Sequence, residues 1–425
     1  MDITVPPEVA DLARRTREFI AEVVIGVEEE TGGSVHAAPD ELRRSLQKQA
    51  RAAGLLAPHV PVEWGGCGLD VRGQAVVFEE AGYSLLGPLA MNCAAPDEGN
   101  MHLLSVVATP EQKEKYLRPL AAGEIRSCFA MTEPAPGAGA DPSMLSTTAT
   151  RVTEGWRIDG RKWFISGARG AGFAICMART SGAPGERGGA TMFLVDGDHP
   201  GLRVVRDIDT LDEGLFGGHS EVVFDGCVVG PESVLGEVDR GFEYAQVRLA
   251  PARLTHCMRW LGLARRAHGI AVDWAATRKS FGGLLGDLGM VQQLVADSEI
   301  DMAASRALIW HTAAVLDGGA GGTAVVAGGA RGGTESSMAK TFVAEAVNRV
   351  VDRSVQICGA LGVSGDVLLS RYLREVRPFR IYDGPSEVHR WAIGRRAISQ
   401  RRRAIEGGEP PRFRRFGGRK ETLPS

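Results

Sequence analysis

The change in residue periodicity along the chain constrains its fold more than any other feature of the sequence. Apolar residues recur every three or four positions in residues 1–125 and 239–405, whereas residues 126–238 alternate polar and apolar side chains between turn residues. The first spacing is typical of helices with one buried face, and the second of strands. We therefore predict an α+β chain with an N-terminal helical domain, a small antiparallel β domain and a C-terminal helical bundle, followed by a flexible basic tail at 406–425.

Local signals mark element boundaries within this plan. Thr109 and Gln112 flank a proline and predict a capping box at a helix start, and Asp40 is a predicted helix N-cap. The letters from Gly319 to Ala324 fit a dinucleotide-binding fingerprint. They lie between two helical segments, so a helix–helix loop over 317–333 is the better interpretation.

Composition and residue patterns exclude several classes of protein. The net charge is −3, which argues against a globally basic nucleic-acid binder. The sequence contains no apolar run of 18 residues and no signal-peptide pattern at its start, so we expect no membrane span. Its seven cysteines form no CxxC pair and its nine histidines form no HExxH motif, so we expect no metal and a cytoplasmic location.

Two segments of the predicted β domain carry side chains suited to a flat ligand. In 129–142, Thr132 offers a hydroxyl among glycines that allow a ligand to approach the backbone, and an ordinary turn explains these letters equally well. In a strand, Phe164 and Ser166 point to the same face, where a ring could stack on a heterocycle and a hydroxyl could bind it. A core phenylalanine and an edge serine is the better explanation of these two residues alone.

Two segments of the predicted bundle carry charged side chains next to helix ends. In 277–282, Arg278 is suited to bidentate phosphate binding, although cations that complement a helix dipole explain the segment somewhat better. Asp383 precedes Gly-Pro-Ser at a turn before a helix start. Composition favours a turn aspartate, and the functional alternative is a carboxylate base at the mouth of that helix.

Taken in this order, the four segments resemble those of the acyl-CoA dehydrogenases, and the resemblance covers residues 5–405. The run Tyr382–His389 is similar to the DGPDEVH-type motif of a subgroup with an aspartate in place of the usual catalytic glutamate. The run Leu249–Arg259 resembles the same subgroup.

The resemblance implies a C-terminal four-helix bundle, a homodimer or homotetramer, and FAD bound between the β domain and the bundle. The residues that it implies for FAD binding are Phe129, Met131, Thr132, Phe164, Ile165, Ser166, Arg278, Ser280, Phe281, Gln356, Gly359, Pro385 and Glu387. Those that it implies for substrate binding are Ala140, Arg253 and Gly384.

By the same resemblance, each implied contact belongs to one part of FAD. Met131–Thr132 meets the pyrimidine edge of the flavin, Phe164 lies against the isoalloxazine ring, and Ser166 hydrogen-bonds near N5. Residues 278–281 reach the diphosphate of the FAD held by a neighbouring subunit, and residues 356–359 pass near the adenine end.

Four positions depart from the usual family pattern. Asp383 stands where most members have glutamate, and its side chain is shorter by about 1.5 Å. In an active site, a displacement of about 1 Å can lower the rate about 100-fold. Ala140 replaces a common serine, Pro385 a threonine that contacts the cofactor, and Ala250 an aspartate of the Asp-x-x-Arg pattern.

The implied reaction is the α,β-dehydrogenation of an acyl-CoA to its trans-2-enoyl thioester. Asp383 is the implied base for the α-proton, flavin N5 takes the β-hydride, and electron-transfer flavoprotein reoxidises the FAD. We expect water exclusion to raise the pKa of Asp383 toward neutrality. The alternatives are an oxidase of the same fold that uses O2 on acyl-CoA or nitroalkanes, a dehydrogenase of carrier-protein thioesters, a reduced-flavin monooxygenase, and a non-catalytic scaffold.

Overall fold

The computed structural model describes residues 4–34, 40–213, 218–318 and 332–412, together with the backbone of the two-residue strands Val325–Val326 and Gly329–Ala330. The glycine-rich letters at 319–324 and most of the predicted basic tail lie outside the described residues. Within the described part of the chain, no helix is both long enough and apolar enough to cross a membrane.

The first third of the chain is helical. Its helices are α1 (Pro7–Phe19), α2 (Ile25–Glu30), α3 (Asp40–Ala52), α4 (Val71–Ala81), α5 (Gly87–Ala90), α6 (Asp97–Val107), α7 (Pro110–Gln112) and α8 (Arg118–Ala121). The predicted capping box at Thr109 and Gln112 is confirmed at the start of α7. The predicted N-cap at Asp40 is wrong, because Asp40 is already helical and its carboxylate accepts hydrogen bonds from Arg43 and Arg44, one turn further along.

One mixed sheet forms the middle of the chain. Its strands are β1 (Ser127–Ala130), β2 (Thr148–Val152), β3 (Gly155–Ser166), β4 (Phe173–Arg179), β5 (Ala190–Asp196), β6 (Leu202–Ile208), β7 (His219–Val229) and β8 (Val234–Leu235). Their order is β6-β7-β3-β2-β4-β5-β8, and β1 pairs with β4. Most pairs are antiparallel, as predicted, but β1 and β2 each run parallel to β4, because neither is joined to it by a hairpin.

Long helices form the last part of the chain. They are α9 (Gly241–Thr277), α10 (Gly289–Asp317), α11 (Gly333–Cys358), α12 (Ala360–Val363), α13 (Leu369–Val376) and α14 (Ser386–Glu406), and a hairpin of β9 (Lys279–Ser280) and β10 (Gly283–Leu284) links α9 to α10. Helix α9 packs against α4, α6, α10 and α11, and α4 also packs against α10. The N-terminal helices and the bundle therefore share one apolar core around α9, which also takes in side chains of β4 and β5 such as Phe173 and Met192. A second apolar cluster lies within the sheet.

A buried ion pair ties the segment after β1 to the sheet. The ammonium of Lys162 on β3 donates to Glu133 Oε1 at 2.8 Å and to the carbonyl of Met131 at 3.1 Å, and both charged side chains are fully buried. The Glu133 carboxylate also accepts the backbone N–H groups of Ala138, Ser146 and Thr147. Burial opposes its ionisation, but the charge of Lys162 and these donors lower the pKa of Glu133 to about 2.

Two histidines near α4 and α6 are cut off from water. Both ring nitrogens of His59 and Nε2 of His102 are buried without a hydrogen-bond partner among the described residues, and His59 packs edge-on to Phe78. Burial is the main cause that lowers the pKa of His59 to about 3 and that of His102 to about 4. Both rings are therefore neutral in the folded protein.

We expect the free energy of unfolding to fall as the pH is lowered from 7 to 5. The pKa values of these two histidines in the folded protein lie below the usual value of about 6.5, so the unfolded chain binds more protons between pH 7 and 5. This difference lowers the free energy of unfolding by about 2 kcal/mol per histidine at pH 5. Urea denaturation at each pH measures the free energy of unfolding.

The variant His102→Gln should lose less stability between pH 7 and 5 than the wild type, whereas the control His311→Gln, at an exposed position, should lose as much. An unchanged loss of stability in His102→Gln would contradict the role of His102.

We expect Lys162→Met to destabilise the protein by about 3–5 kcal/mol, because it leaves the buried carboxylate of Glu133 without its cation. The double variant Glu133→Gln/Lys162→Met removes both charges and should lose less than the single variant. Urea denaturation compares them, with exposed Lys279→Met as the matched control. A loss in Lys162→Met no larger than that of the control would show that the pair contributes little.

Candidate active site

A cavity of about 1490 Å³ lies where the sheet meets the bundle. Its walls come from residues 82–99 of the N-terminal helical part, from residues 129–142, from the ends of β3 and β7 and residues 210–212, and from the bundle. The bundle contributes one face of α9, the start of α11 and residues 375–396. Typical pockets for one small ligand measure about 300–1,000 Å³. This cavity therefore has room for more than one ligand of that size.

The turn that carries Asp383 is held by side chains from three helices. Arg253 Nε on α9 and His389 Nε2 on α14 lie 2.9 and 3.0 Å from the carbonyl oxygen of Asp383, and Lys340 Nζ on α11 donates to the carbonyl of Gly384 at 2.7 Å. Asp383 has a φ of 53° and Gly384 a φ of 99°. A side chain at Gly384 would meet the ring of His389 at 2.5 Å, so this position requires glycine.

The carboxylate of Asp383 faces His256. The distance from Asp383 Oδ2 to His256 Nε2 is 3.5 Å, and both residues line the cavity. The imidazole packs against the rings of Phe379 and Tyr382, with centroids 5.8 and 4.9 Å away, and Trp260 Nε1 donates to the Tyr382 hydroxyl at 2.6 Å. These contacts fix the plane of the imidazole beside the carboxylate.

Charges around Asp383 keep it ionised. Burial opposes its ionisation, but His256, Arg248, Arg253 and Lys340 together lower the pKa of Asp383 below its usual value of 3.8. The prediction that water exclusion raises the pKa of Asp383 is therefore wrong for the protein alone, because the surrounding groups outweigh burial. The sequence gave no indication of how many cations surround the turn. Burial, with the charge of Arg259, lowers the pKa of His256 to about 3, so the imidazole is neutral at pH 7.

Lys340 is a fully buried cation below the turn. Burial lowers its pKa to about 8, although the negative charge of Asp383 favours its protonated form. Its ammonium also lies 5.3 Å from the centroid of the Phe379 ring. At neutral pH this side chain is a hydrogen-bond donor that fixes the peptide after Asp383.

The opposite wall of the cavity belongs to the sheet. Phe129 is fixed by Arg248, whose guanidinium lies 4.2 Å from the ring centroid, and the carbonyl of Thr132 accepts the N–H of Trp163. Phe164 is 45% exposed and lines the cavity. The strand does not alternate regularly here, because a bulge between Lys162 and Ile165 gives Phe164 a φ of 51°.

A chain of three side chains runs along the same wall. Ser166 Oγ lies 2.8 Å from His219 Nδ1, and His219 Nε2 lies 3.0 Å from Asp212 Oδ2. Ser166 and His219 are register partners on β3 and β7, and Asp212 follows β6. All three line the cavity.

The structure brings most, but not all, of the predicted site residues to one cavity. Those that line it are Phe129, Met131, Thr132, Ala140, Phe164, Ser166, Arg253, Asp383, Gly384 and Pro385. Those that do not are Ile165, Arg278, Ser280, Phe281, Gln356, Gly359 and Glu387. Ile165 is buried in the apolar cluster of the sheet, whereas Phe281 is 90% exposed and Gln356, Gly359 and Glu387 lie at the surface.

Several residues that line the cavity were not predicted as site residues from the sequence. His256, Trp260 and Leu263 line the cavity from the same face of α9 as Arg253, and their spacing of three, seven and ten residues from Arg253 was a usable helical signal. Asp212 and His219 had no such signal, because Asp212 lies after the end of β6 and no helix or strand spacing relates it to His219 at the start of β7.

The chain matches three family models along its length. They are the N-terminal, middle and C-terminal domains of acyl-CoA dehydrogenase, matched at residues 6–124, 128–227 and 239–398. The predicted domain limits at 125, 238 and 405 remain predictions.

Whole-length relatives agree with these matches. The chain is 35% identical over 414 residues to Probable acyl-CoA dehydrogenase FadE2 of Mycobacterium tuberculosis, covering 94% of this chain and 98% of the relative. A Mycobacterium abscessus protein solved as a candidate acyl-CoA dehydrogenase is 33% identical, with a TM-score of 0.85 over 94% of this chain and all of that one. Butyryl-CoA dehydrogenase of Megasphaera elsdenii is 25% identical, with a TM-score of 0.80 over the same shares. The chain therefore belongs to the acyl-CoA dehydrogenase family of FAD-dependent enzymes.

Proposed function

We propose that this chain dehydrogenates an acyl-CoA thioester between its α and β carbons, with FAD as the electron acceptor and Asp383 as the base for the α-proton. The observation that carries this proposal is a carboxylate at the cavity wall whose backbone is gripped by donors from three helices. A turn aspartate with only a structural role has no need of that support.

The residues of the sheet wall fit FAD. Phe164 offers an exposed ring, Phe129 offers one fixed by Arg248, and Thr132 and Ser166 offer hydroxyls. The volume of about 1490 Å³ suits a cofactor and an acyl chain together. When bound, FAD supplies the two-electron chemistry that protein side chains lack.

In this proposal Asp383 accepts the α-proton and His256 holds the carboxylate of Asp383 in position. Asp383 is ionised at neutral pH, the form that a base needs, and its Oδ2 faces the imidazole of His256. With Nε2 protonated, neutral His256 holds that oxygen and leaves Oδ1 to receive the α-proton. His256 is thus a positioning residue in this proposal, and its ring is itself fixed by Phe379 and Tyr382.

Residues outside the cavity support a homodimer or homotetramer. Arg278, Ser280 and Phe281 lie on the hairpin after α9, and Gln356 and Gly359 at the end of α11, away from the chain's own cavity. We propose that they contact the FAD of a neighbouring subunit. Exposed apolar side chains at the hairpin, on α10 and on α14 favour such packing; the largest are Phe281, Met290, Ile300, Trp391 and Ile398.

Electron-transfer flavoprotein is the acceptor that we propose, and coenzyme A rather than a carrier protein is the thioester carrier. The seven free cysteines of the structure fit the cytoplasmic location predicted from the sequence.

We expect Asp383→Asn to keep its bound FAD and lose turnover by a factor of about 1,000 or more, because the amide cannot accept the α-proton. Under anaerobic conditions, the flavin absorbance of the wild type should bleach with at least one acyl-CoA of a chain-length panel, and that of the variant should not. The exposed residue Asp366, as Asp366→Asn, is the matched control.

Three outcomes would contradict the proposal. Bleaching of Asp383→Asn at the wild-type rate would exclude Asp383 as the base. A wild-type flavin that no acyl-CoA bleaches would point to carrier-protein thioesters or nitroalkanes as substrates. Rapid O2 consumption without a need for electron-transfer flavoprotein would identify an oxidase.

We expect His256→Phe to lower kcat about 10- to 100-fold with a smaller change in KM, because the carboxylate loses the imidazole that lies 3.5 Å from its Oδ2, and a base misplaced by about 1 Å can lose about 100-fold in rate. The wild-type pKa of Asp383 lies below 3.8, so kcat/KM should stay flat as the pH falls to about 5. In the variant the carboxylate loses a partner that lowers its pKa, so the acid limb should move to higher pH. Unchanged kcat and an unchanged pH profile would exclude the positioning role.

A further inference from the structure

The cavity runs along α9 from an end that is open to solvent to an end that is buried. At the open end, half-buried Thr334 on α11 and exposed Arg396 on α14 line it. Ser336 Oγ, at the start of α11, donates to the carbonyl of Ala250 at 2.6 Å, so this end lies on the N-terminal side of His256 along α9. The charged head of coenzyme A belongs at the open end, because burying its phosphates without partners would be costly.

The buried end lies where the chain after α4 crosses α9. Gly82 and Leu263 line the cavity there, and both are buried. A Cβ atom on Gly262 would lie 2.7 Å from the carbonyl carbon of Gly82, so the two backbones are in direct contact. This contact closes the cavity between α4 and α9.

The floor of the buried end is formed by Leu85 and Gly33. Both line the cavity, and a Cβ atom on Gly33 would lie 3.5 Å from Leu85 Cδ1. The N–H of Leu85 donates to Glu28 Oε1 at 2.8 Å, and Glu28 is fully buried in an ion pair with Arg266, three residues after Leu263 on α9. The ion pair thus fixes the backbone of Leu85, and the Leu85 side chain limits the depth of the cavity.

The charged side chains along this part of the wall already have partners. Glu98 Oε2 accepts the hydroxyl of Thr255 at 3.0 Å and lies 3.5 Å from Arg259 Nη1, and Glu375 accepts the N–H of Glu213 at 2.9 Å. Arg259 Nη2 has no hydrogen-bond partner among the described residues, but it is fully buried and so does not face the open cavity. Large apolar side chains complete the wall; they are Leu85, Pro88, Trp260 and Leu263. Such a wall suits a hydrocarbon chain.

The depth of the buried part gives the length of that chain. His256 faces the carboxylate of Asp383, so it marks the level of the α carbon. Leu263 and Arg266 follow His256 by seven and ten residues on α9, which is about 10 to 15 Å at about 1.5 Å per residue. An extended hydrocarbon advances about 1.25 Å per carbon for a C–C bond of about 1.5 Å, so about eight to twelve carbons fit beyond the α carbon.

We propose that the enzyme takes medium-chain acyl groups of about ten to fourteen carbons, whose apolar tail fills the cavity between His256 and Leu85. This inference rests on the proposed function, which places the α carbon beside Asp383. Burial of one methylene is worth about fourfold in affinity. Binding should therefore strengthen with each added carbon until the chain reaches the floor.

The test is the affinity of the purified holoenzyme for S-alkyl-CoA thioethers with chains of about 4 to 18 carbons, measured by isothermal titration calorimetry. A thioether has no carbonyl group and hence no acidic α-proton, so binding is measured without turnover. We expect Kd to fall by up to about fourfold per added methylene and to stop falling at about ten to fourteen carbons.

Two substitutions at Leu85 should move this turning point in opposite directions. Leu85→Trp should move it to chains about two to four carbons shorter, and Leu85→Ala to longer chains, because this side chain limits the depth. Exposed Val62, outside the cavity, provides the matched control as Val62→Trp. Leu85→Ala alone decides the question if Leu85→Trp does not fold.

Three results would overturn the inference without touching the proposed base or electron acceptor. They are a Kd that stops falling by about six carbons, a Kd that still falls at about 18 carbons, and a turning point that Leu85→Ala leaves in place. Failure of the proposed function is a separate result: no acyl-CoA then bleaches the flavin, while the thioether series still decides the chain length.

Discussion

The geometry of the site depends on the grip of three side chains on two consecutive carbonyl groups. Arg253, His389 and Lys340 come from three different helices and meet at the peptides of Asp383 and Gly384. A residue other than glycine with a φ of 53° is strained, and it stays so only where the surroundings leave it no alternative. The helices thus fix the backbone first, and the carboxylate takes its place as a consequence.

Arg253 and Lys340, which hold the turn, also lower the pKa of Asp383. A buried carboxylate alone would be a stronger base with a raised pKa, but the positive charges around Asp383 win over burial. The surroundings of Asp383 therefore keep its carboxyl ionised at neutral pH but make it a weaker base than a carboxylate with a raised pKa. This ordering suits the proposed reaction, in which the proton would be removed as electrons leave the neighbouring carbon, because the carboxylate would not bear the whole cost of a free carbanion.

The sequence indicated the parts of this structure that depend on local chemistry. The change of periodicity marked the sheet between two helical parts, Thr109 and Gln112 marked a helix start, and the motif around Asp383 marked the turn. Asp40 shows the limit of such signals, since two arginines one turn away compete for its carboxylate.

What the sequence could not indicate depends on contacts between distant segments. The bulge at Phe164 comes from the pairing of β3 with β7, and Lys340 stands 43 positions before the aspartate whose turn it supports. Asp212 lies after the end of β6 and meets His219, at the start of β7, through a side-chain hydrogen bond. None of these partners lies within one helical turn or one strand alternation of the other, so no periodicity connects them.

A single helix, α9, connects the cavity with the hairpin of β9 and β10. It runs for 37 residues from Gly241 to Thr277, and the part from Arg253 on the cavity face to the start of the hairpin that carries Phe281 is about 36 Å long. One residue inserted between these points would rotate the hairpin by about 100° relative to the cavity and lengthen the rod by about 1.5 Å. The length of this stretch is therefore constrained independently of the side chains that it carries, because any insertion would change the position of the hairpin relative to the cavity.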